Sequence, residues 1–359
     1  MGKRTIIPFG PQHPVLPEPI HLDLVMEDEK VVEAIPAIGF VHRGLEKMAE
    51  KKDFQEMAYV AERICGICSF IHSMGYCQAI EAVLKLEIPK RAEYLRVIWS
   101  EMSRIHSHLL WLGLTADSFG FESLFMHSWR VREKLLDLIE ETTGGRVIFG
   151  SCKVGGTRRD IDADTLGRLL VELKELETGC REITAIFDHD SSVKRRMTGI
   201  GVLSKADAHQ LGAVGPTLRG SGIPWDARRL NYAAYGELQW EPVSEEAGDC
   251  QARARVRVRE IYQSFDLIRQ AAAKIPDGPV EVKVPGNPQG EYFARLEQPR
   301  GEVVYYVKGN GTKNLERFRV RTPTFANLPP LLKILQGCTL PDVPVIVLTI
   351  DPCISCAER

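Results

Sequence analysis

No run of apolar residues in this 359-residue sequence approaches the ~18 needed to cross a bilayer; the longest, such as Val345–Leu348, are short. Neither sign of charge dominates, since 46 Lys and Arg stand against 48 Asp and Glu. A net charge of -2 leaves no electrostatic footprint for nucleic acid, and no nucleic-acid partner is expected. The opening residues Met1–Gly10 carry no apolar core of a secretory signal. Internal repeats, low-complexity linkers and composition breaks are also missing. One large domain spanning residues 1–359 is therefore expected. Nine cysteines are too few at this length, and odd in number, for a disulfide scaffold. A reducing compartment is the default, where cysteines more often bind metal or do redox chemistry.

What is present is mostly helical patterning. Leu95, Ile98, Met102, Ile105, Leu109 and Leu112 alternate three- and four-residue steps, the apolar face of a long helix. Residues 128–142 continue in that style until Gly144-Gly145. Further helices are expected over about 162–187, 204–213, 252–274 and 325–337. Extended runs are expected at Ile20–Val25 and Val31–Ile38, and again at Val280–Val284, Tyr292–Leu296, Val303–Val307 and Phe318–Val320. The segment 215–224 reads as a Gly/Pro loop, and Val343–Ile350 as an apolar run with a β-branched Thr349. The predicted class is α+β and predominantly α-helical, with small sheets near the N-terminus and around residues 280–320.

Four cysteines fall into two C-x-x-C pairs, Cys65/Cys68 and Cys353/Cys356, separated by 284 residues (69 to 352). Each pair places two sulfurs within reach of one point. Ordinary zinc clips lie about 15–20 residues apart, so a local zinc ribbon is disfavoured. A shared four-thiolate site, two independent redox pairs and an iron–sulfur cluster all remain compatible with the spacing. The other five, Cys77, Cys152, Cys180, Cys250 and Cys338, read as small buried apolar residues.

The flanking residues discriminate. Glu62-Arg-Ile-Cys-Gly-Ile-Cys-Ser-Phe-Ile-His72 and Asp351-Pro-Cys-Ile-Ser-Cys356 resemble the two metal-binding motifs of [NiFe]-hydrogenase large subunits. Gly10-Pro-Gln-His-Pro-Val-Leu-Pro-Glu-Pro19, His42-Arg-Gly-Leu-Glu-Lys47, Arg104-Ile-His-Ser-His108 and Gln298-Pro-Arg-Gly301 resemble its membrane-bound, energy-converting group 4 branch, of the ferredoxin-linked Ech type or the carbon-monoxide-induced relative. That branch is related to the quinone-site subunit of respiratory complex I, which shares the Gly-Pro-x-His-Pro and His-Arg-Gly signatures but lacks the cysteine pairs.

The resemblance implies a centre of one nickel and one iron, the iron carrying two cyanides and one carbon monoxide. Cys65 and Cys353 would be terminal on nickel; Cys68 and Cys356 would bridge the metals. Cleaving H2 into unlike halves needs a Lewis acid and a base. Cys353 would be the first base, Glu18 the proton carrier that follows, and His13 a member of the same exit path. Arg300, after Pro299, would overhang the open metal position, with Asp117 as its partner. His72 would donate to a bridging sulfur, and Thr349 to a cyanide. Glu46 matches a ligand of a second ion such as magnesium, although the terminal His that often accompanies it is replaced by Ala357-Glu-Arg359; pairing of Glu46 with Arg43 or Lys47 is the alternative.

The implied reaction is reversible proton reduction to H2 with electrons from reduced ferredoxin. The implied partners are a small subunit whose [4Fe-4S] cluster lies near nickel, ferredoxin-like electron-carrying subunits and antiporter-like membrane subunits. The chain would be peripheral, on the cytoplasmic side of the cell membrane. A quinone-site electron-transfer subunit and a hydrogen sensor are the competing readings.

Overall fold

The computed structural model describes residues 4–359. The chain opens with an antiparallel sheet of three strands in sequence order, β1 (Arg4–Phe9), β2 (His21–Glu27) and β3 (Lys30–Ala37). The expected runs at 20–25 and 31–38 are its second and third strands; β1 lies outside the expected runs. Short helices α1 (Leu45–Ala49) and α2 (Met57–Glu62) lead to α3 (Ser69–Leu84). Then come the long α4 (Lys90–Ser118) and α5 (Glu122–Thr143). Gly144 ends α5 with φ 85°, a left-handed cap that glycine adopts without a Cβ clash.

A two-stranded ribbon, β4 (Cys152–Lys153) and β5 (Gly156–Thr157), precedes α6 (Ala163–His189). Asp162 starts α6 by accepting from Thr165 N–H. Helices α7 (Ser191–Met197), α8 (Lys205–Gln210) and α9 (Gly215–Arg219) follow. The Gly/Pro loop expected from residue 215 thus begins with a helical turn. Helix α10 (Cys250–Lys274) packs against α4. A second antiparallel sheet follows, β6 (Gln289–Gln298), β7 (Gly301–Asn310) and β8 (Leu315–Arg321). The expected Val280–Val284 strand makes only an isolated bridge, Glu281 with Gly156. The chain finishes with α11 (Pro323–Leu335), α12 (Val343–Thr349) and α13 (Ile354–Glu358). Residues 343–349 are helical, not extended. All of them except Pro344 are buried, so no exposed face marks a 3.6-residue period.

One continuous apolar core joins both sheets to the helices, and the class is the α+β, mainly helical one expected. Its axis is α4. Leu95, Ile98, Met102, Ile105, Leu109 and Leu112 are fully buried, as their spacing predicted. So are Arg96, Glu101, Arg104, His106 and His108 on the same helix. Among the described residues no helix is long and apolar enough to cross a membrane.

Candidate metal centre

The two cysteine clips meet. Cys65 and Cys68 lie between α2 and α3; Cys353 and Cys356 lie at the start of α13. Cys353 Sγ is 3.3 Å from Cys65 Sγ, and Cys68 Sγ is 3.5 Å from Cys356 Sγ. The sulfurs of Cys65, Cys68 and Cys356 all lie within 4.8 Å of one another, and Cys353 joins them through Cys65. All four cysteines are buried and free. In each clip the leading sulfur accepts a backbone N–H, Cys65 from Ile67 at 3.2 Å and Cys353 from Cys356 at 3.4 Å. Thiol donors from Cys353, Cys356 and Cys68 pull the Cys65 thiol well below its usual range, and Arg300 adds to the effect. Cys65 thus favours the thiolate, the form that binds metal, while burial and the neighbouring sulfurs push the thiols of Cys68, Cys353 and Cys356 well above their usual range.

The C-terminal clip is delivered by a tightly held turn. Trp111 donates to Leu348 O at 2.7 Å, and Arg257 to Thr349 O at 2.9 Å. Asp351 then takes φ 56°, a left-handed conformation that aspartate tolerates better than most residues. Cys353 N–H donates to Thr324 Oγ1 at 3.1 Å, and Thr322 donates to Cys356 O at 3.0 Å. These threonines begin α11, so that helix fixes the second clip.

Arg300 stands over this turn. Gln298 pairs with Gly301 across the β6–β7 hairpin, leaving Pro299 and Arg300 as its two-residue tip. Arg104 holds the tip by donating to the carbonyls of Glu297 (3.0 Å) and Gln298 (3.2 Å). Arg300 is 4% exposed; its Nε donates to Asp351 O at 3.0 Å and its Nη2 meets Asp351 Oδ1 at 2.9 Å. Burial works against the guanidinium charge, yet Asp351 and the thiols keep it firmly cationic. The partner is therefore Asp351. Asp117, expected in that role, is exposed at the C-terminal end of α4.

The remaining site residues divide. His72 Nε2 lies 3.3 Å from Cys356 Sγ, and burial pushes its imidazole down to about 4, so the ring is neutral. Its Nδ1 meets the hydroxyl of Tyr305, which sequence reasoning missed; an alternating strand gives no hint of which aromatic faces a metal site. Half-buried Glu18 accepts from Ser355 N–H at 3.0 Å and from the Ser355 hydroxyl, between the cysteines of the second clip. His13 stacks on Phe9 at 4.2 Å and accepts from Val15 N–H. The Thr349 hydroxyl accepts from Arg253 Nε, so its contact is with α10. Glu46 accepts from Val320 N–H at 3.0 Å and pairs with Arg319 and with Arg359 at 2.8 Å. Neither Arg43 nor Lys47 is its partner: Lys47 pairs with Glu50, and Arg43 spans carbonyls.

Two buried polar atoms beside the sulfurs lack partners, Arg300 Nη1 and Asp351 Oδ2. Four converging thiols with a free guanidinium N–H fit a soft metal that carries small hydrogen-bond-accepting ligands. At the Glu46 position the guanidiniums already supply the cations a second ion would bring.

The profile of the nickel-dependent hydrogenase family matches residues 43–114, which carry the first clip. That of the 49 Kd subunit of respiratory-chain NADH dehydrogenase matches residues 118–287 and 282–359. The chain is 41% identical to the carbon monoxide-induced hydrogenase of Rhodospirillum rubrum, covering 98% of this chain and 99% of that protein. It belongs to the large-subunit family of group 4, energy-converting [NiFe]-hydrogenases. Within this hydrogenase family, the membrane-bound hydrogenase subunit alpha of Pyrococcus furiosus is 37% identical over 98% of this chain and 87% of that protein. A solved relative, a chain of the membrane-bound sulfane sulfur reductase, an archaeal respiratory membrane complex, superposes with a TM-score of 0.94 at 30% identity, covering 99% of this chain and 98% of that one.

Proposed function

We propose that this oxidoreductase subunit activates H2 reversibly at a nickel–iron centre held by Cys65, Cys68, Cys353 and Cys356. The observation that carries the reading is the meeting of all four buried thiols, paired Cys65 with Cys353 and Cys68 with Cys356. When bound, the centre would supply the Lewis acid and the redox capacity that H2 cleavage needs. The protein's own residues supply the rest. Arg300, clamped by Asp351, keeps its Nη1 amino group unpaired. Glu18, bonded to Ser355 between the cysteines of the second clip, carries the proton between the Cys353 sulfur and solvent. The core around the clips keeps bulk water from the thiols.

Electrons would pass to an iron–sulfur partner subunit and on to ferredoxin-type carriers, with antiporter-like membrane subunits coupling the reaction to ion translocation. The chain would then sit at the cytoplasmic face of the membrane. Relatives named as membrane-bound or respiratory-complex subunits support such an assembly. A second reading, electron transfer without H2 chemistry, draws on the complex I profile match over residues 118–359. Metal analysis with infrared spectroscopy of the purified complex separates them. About one nickel per chain, with iron-bound carbon monoxide and cyanide bands, is expected; zinc alone or no metal would sink the hydrogenase reading.

A further inference from the structure

We infer that Tyr305 is a positioning residue that fixes which nitrogen of His72 carries the proton, and so aims an N–H at the Cys356 sulfur. Two independent features of the fold carry this.

The first is the hydrogen-bond chain. His72 Nε2 faces Cys356 Sγ at 3.3 Å and its Nδ1 faces Tyr305 Oη. A neutral imidazole has a single N–H, so one nitrogen donates and the other accepts. Among the described residues the Tyr305 hydroxyl has no other hydrogen-bond partner, and it is buried. Its proton therefore goes to Nδ1. That leaves Nε2 protonated and pointing at sulfur. The opposite tautomer would set the Nε2 lone pair against a thiolate lone pair, and the ring would repel the ligand it touches.

The second feature is a notch in α3. A Cβ on Gly75 would lie 2.6 Å from Tyr305 Cε2 and 2.7 Å from Cδ2. Glycine inside a helix is unfavourable, and here its missing side chain is the space the Tyr305 ring fills. The helix that Cys68 precedes and that carries His72 is thus shaped to seat this tyrosine three residues beyond the histidine.

The inference rests on the nickel–iron reading, in which Cys356 would be a thiolate ligand of the centre. An N–H on a metal-bound thiolate withdraws electron density from the metal, and outer hydrogen bonds of this kind would tune the centre. The carbon monoxide stretch on iron reports that density. In the purified holoenzyme complex, Tyr305→Phe is expected to move that band to lower wavenumber. In a His72→Leu background the same change should leave the band where His72→Leu alone puts it. Gly75→Ala, which crowds the ring, should move the band in the same direction as Tyr305→Phe.

Should Tyr305→Phe fail to accumulate, 3-fluorotyrosine placed at position 305 keeps the shape and makes the phenol a stronger donor. It should move the band to higher wavenumber. Bands in Tyr305→Phe or the fluorotyrosine protein that superpose on wild type overturn the inference. So does an equal shift in the His72→Leu background, because the tyrosine would then act without the histidine. Wild-type complex lacking these bands altogether would overturn the nickel–iron reading itself, and this inference with it.

Discussion

At the residue scale, the proposed function gives proton handling and charge placement to two different side chains. Glu18→Gln keeps the shape that bonds Ser355 but cannot carry a proton. The variant should retain nickel and iron yet lose net turnover and hydrogen–deuterium exchange with solvent; exchange at the normal rate would remove Glu18 from the exit path. Arg300 uses Nε and Nη2 together on Asp351. Lysine offers a point charge in place of this planar fork. Arg300→Lys should lower activity by roughly two orders of magnitude or more, the cost seen when a preorganised donor is removed from an active site, with metal content unchanged. A third residue sets a pH dependence. Glu62, three positions before Cys65, is fully buried and accepts from Ser73 (2.8 Å) and Gly150 N–H (3.2 Å). Burial pushes its carboxyl from 4.5 up to about 7. Below pH 4.5 it is protonated in folded and unfolded chains alike. Between 4.5 and 7 the unfolded chain ionises first, so stability falls as pH rises through that window, by up to about 3 kcal/mol. Chemical unfolding of Glu62→Gln from pH 4 to 8 should show a flatter profile and a more stable protein at pH 8.

At the scale of elements, the hairpin tip that presents Arg300 depends on a second backbone. Gly215, at the start of α9, has φ 64°, and a Cβ there would lie 2.3 Å from Arg300 O and 2.4 Å from Gly301 Cα. Gly215→Ala should destabilise the protein by about 2 kcal/mol, from left-handed strain and the clash together, and should lower activity without releasing metal. Gly222→Ala is the control. It has φ 80°, but its nearest neighbour is Glu246 Cγ at 3.8 Å, so thermal unfolding should show a smaller loss and activity should hold. What the sequence revealed about elements follows the same physics. Helices α4, α6 and α10 were legible because each has a one-sided apolar stripe with an identifiable start or stop. Helix α12 was not, because burial on every side erases the stripe. β1 was hidden by its exposure, with Ile6 62% exposed on a sheet edge. The four cysteines were legible through motif spacing and Glu18 through the family resemblance of Gly10–Pro19, whereas Asp351 as the partner of Arg300, and Tyr305 behind His72, are contacts between elements that no local pattern encodes.

At the scale of the molecule, the site exists only because the two ends of the chain are brought together. Cys65 and Cys353, like Cys68 and Cys356, are 288 positions apart. Closing a flexible loop of that length costs about 5 kcal/mol in entropy alone, a cost the whole fold must offset. The core and α11 meet most of it, but one guanidinium spans the seam directly. Arg43 donates to Arg63 O (2.9 Å) and Ile64 O (2.9 Å), immediately before the first clip, and to Ser355 O (2.9 Å) inside the second. It is exposed, so its bonds compete with water and contribute little to global stability. Its effect should be local, on how tightly the two clips stay registered around their metals. Arg43→Ala should therefore leave the unfolding midpoint nearly unchanged while nickel leaves the protein faster under a chelator. A loss of ~1 kcal/mol in clip closure corresponds to roughly a fivefold faster release. Arg317→Ala, which removes a partly exposed guanidinium paired with Glu50 and bonded to neither clip, should release nickel at the wild-type rate. Equal rates in all three proteins would mean that the core and the other contacts between the chain ends, such as Glu18 with Ser355, hold them in register without Arg43.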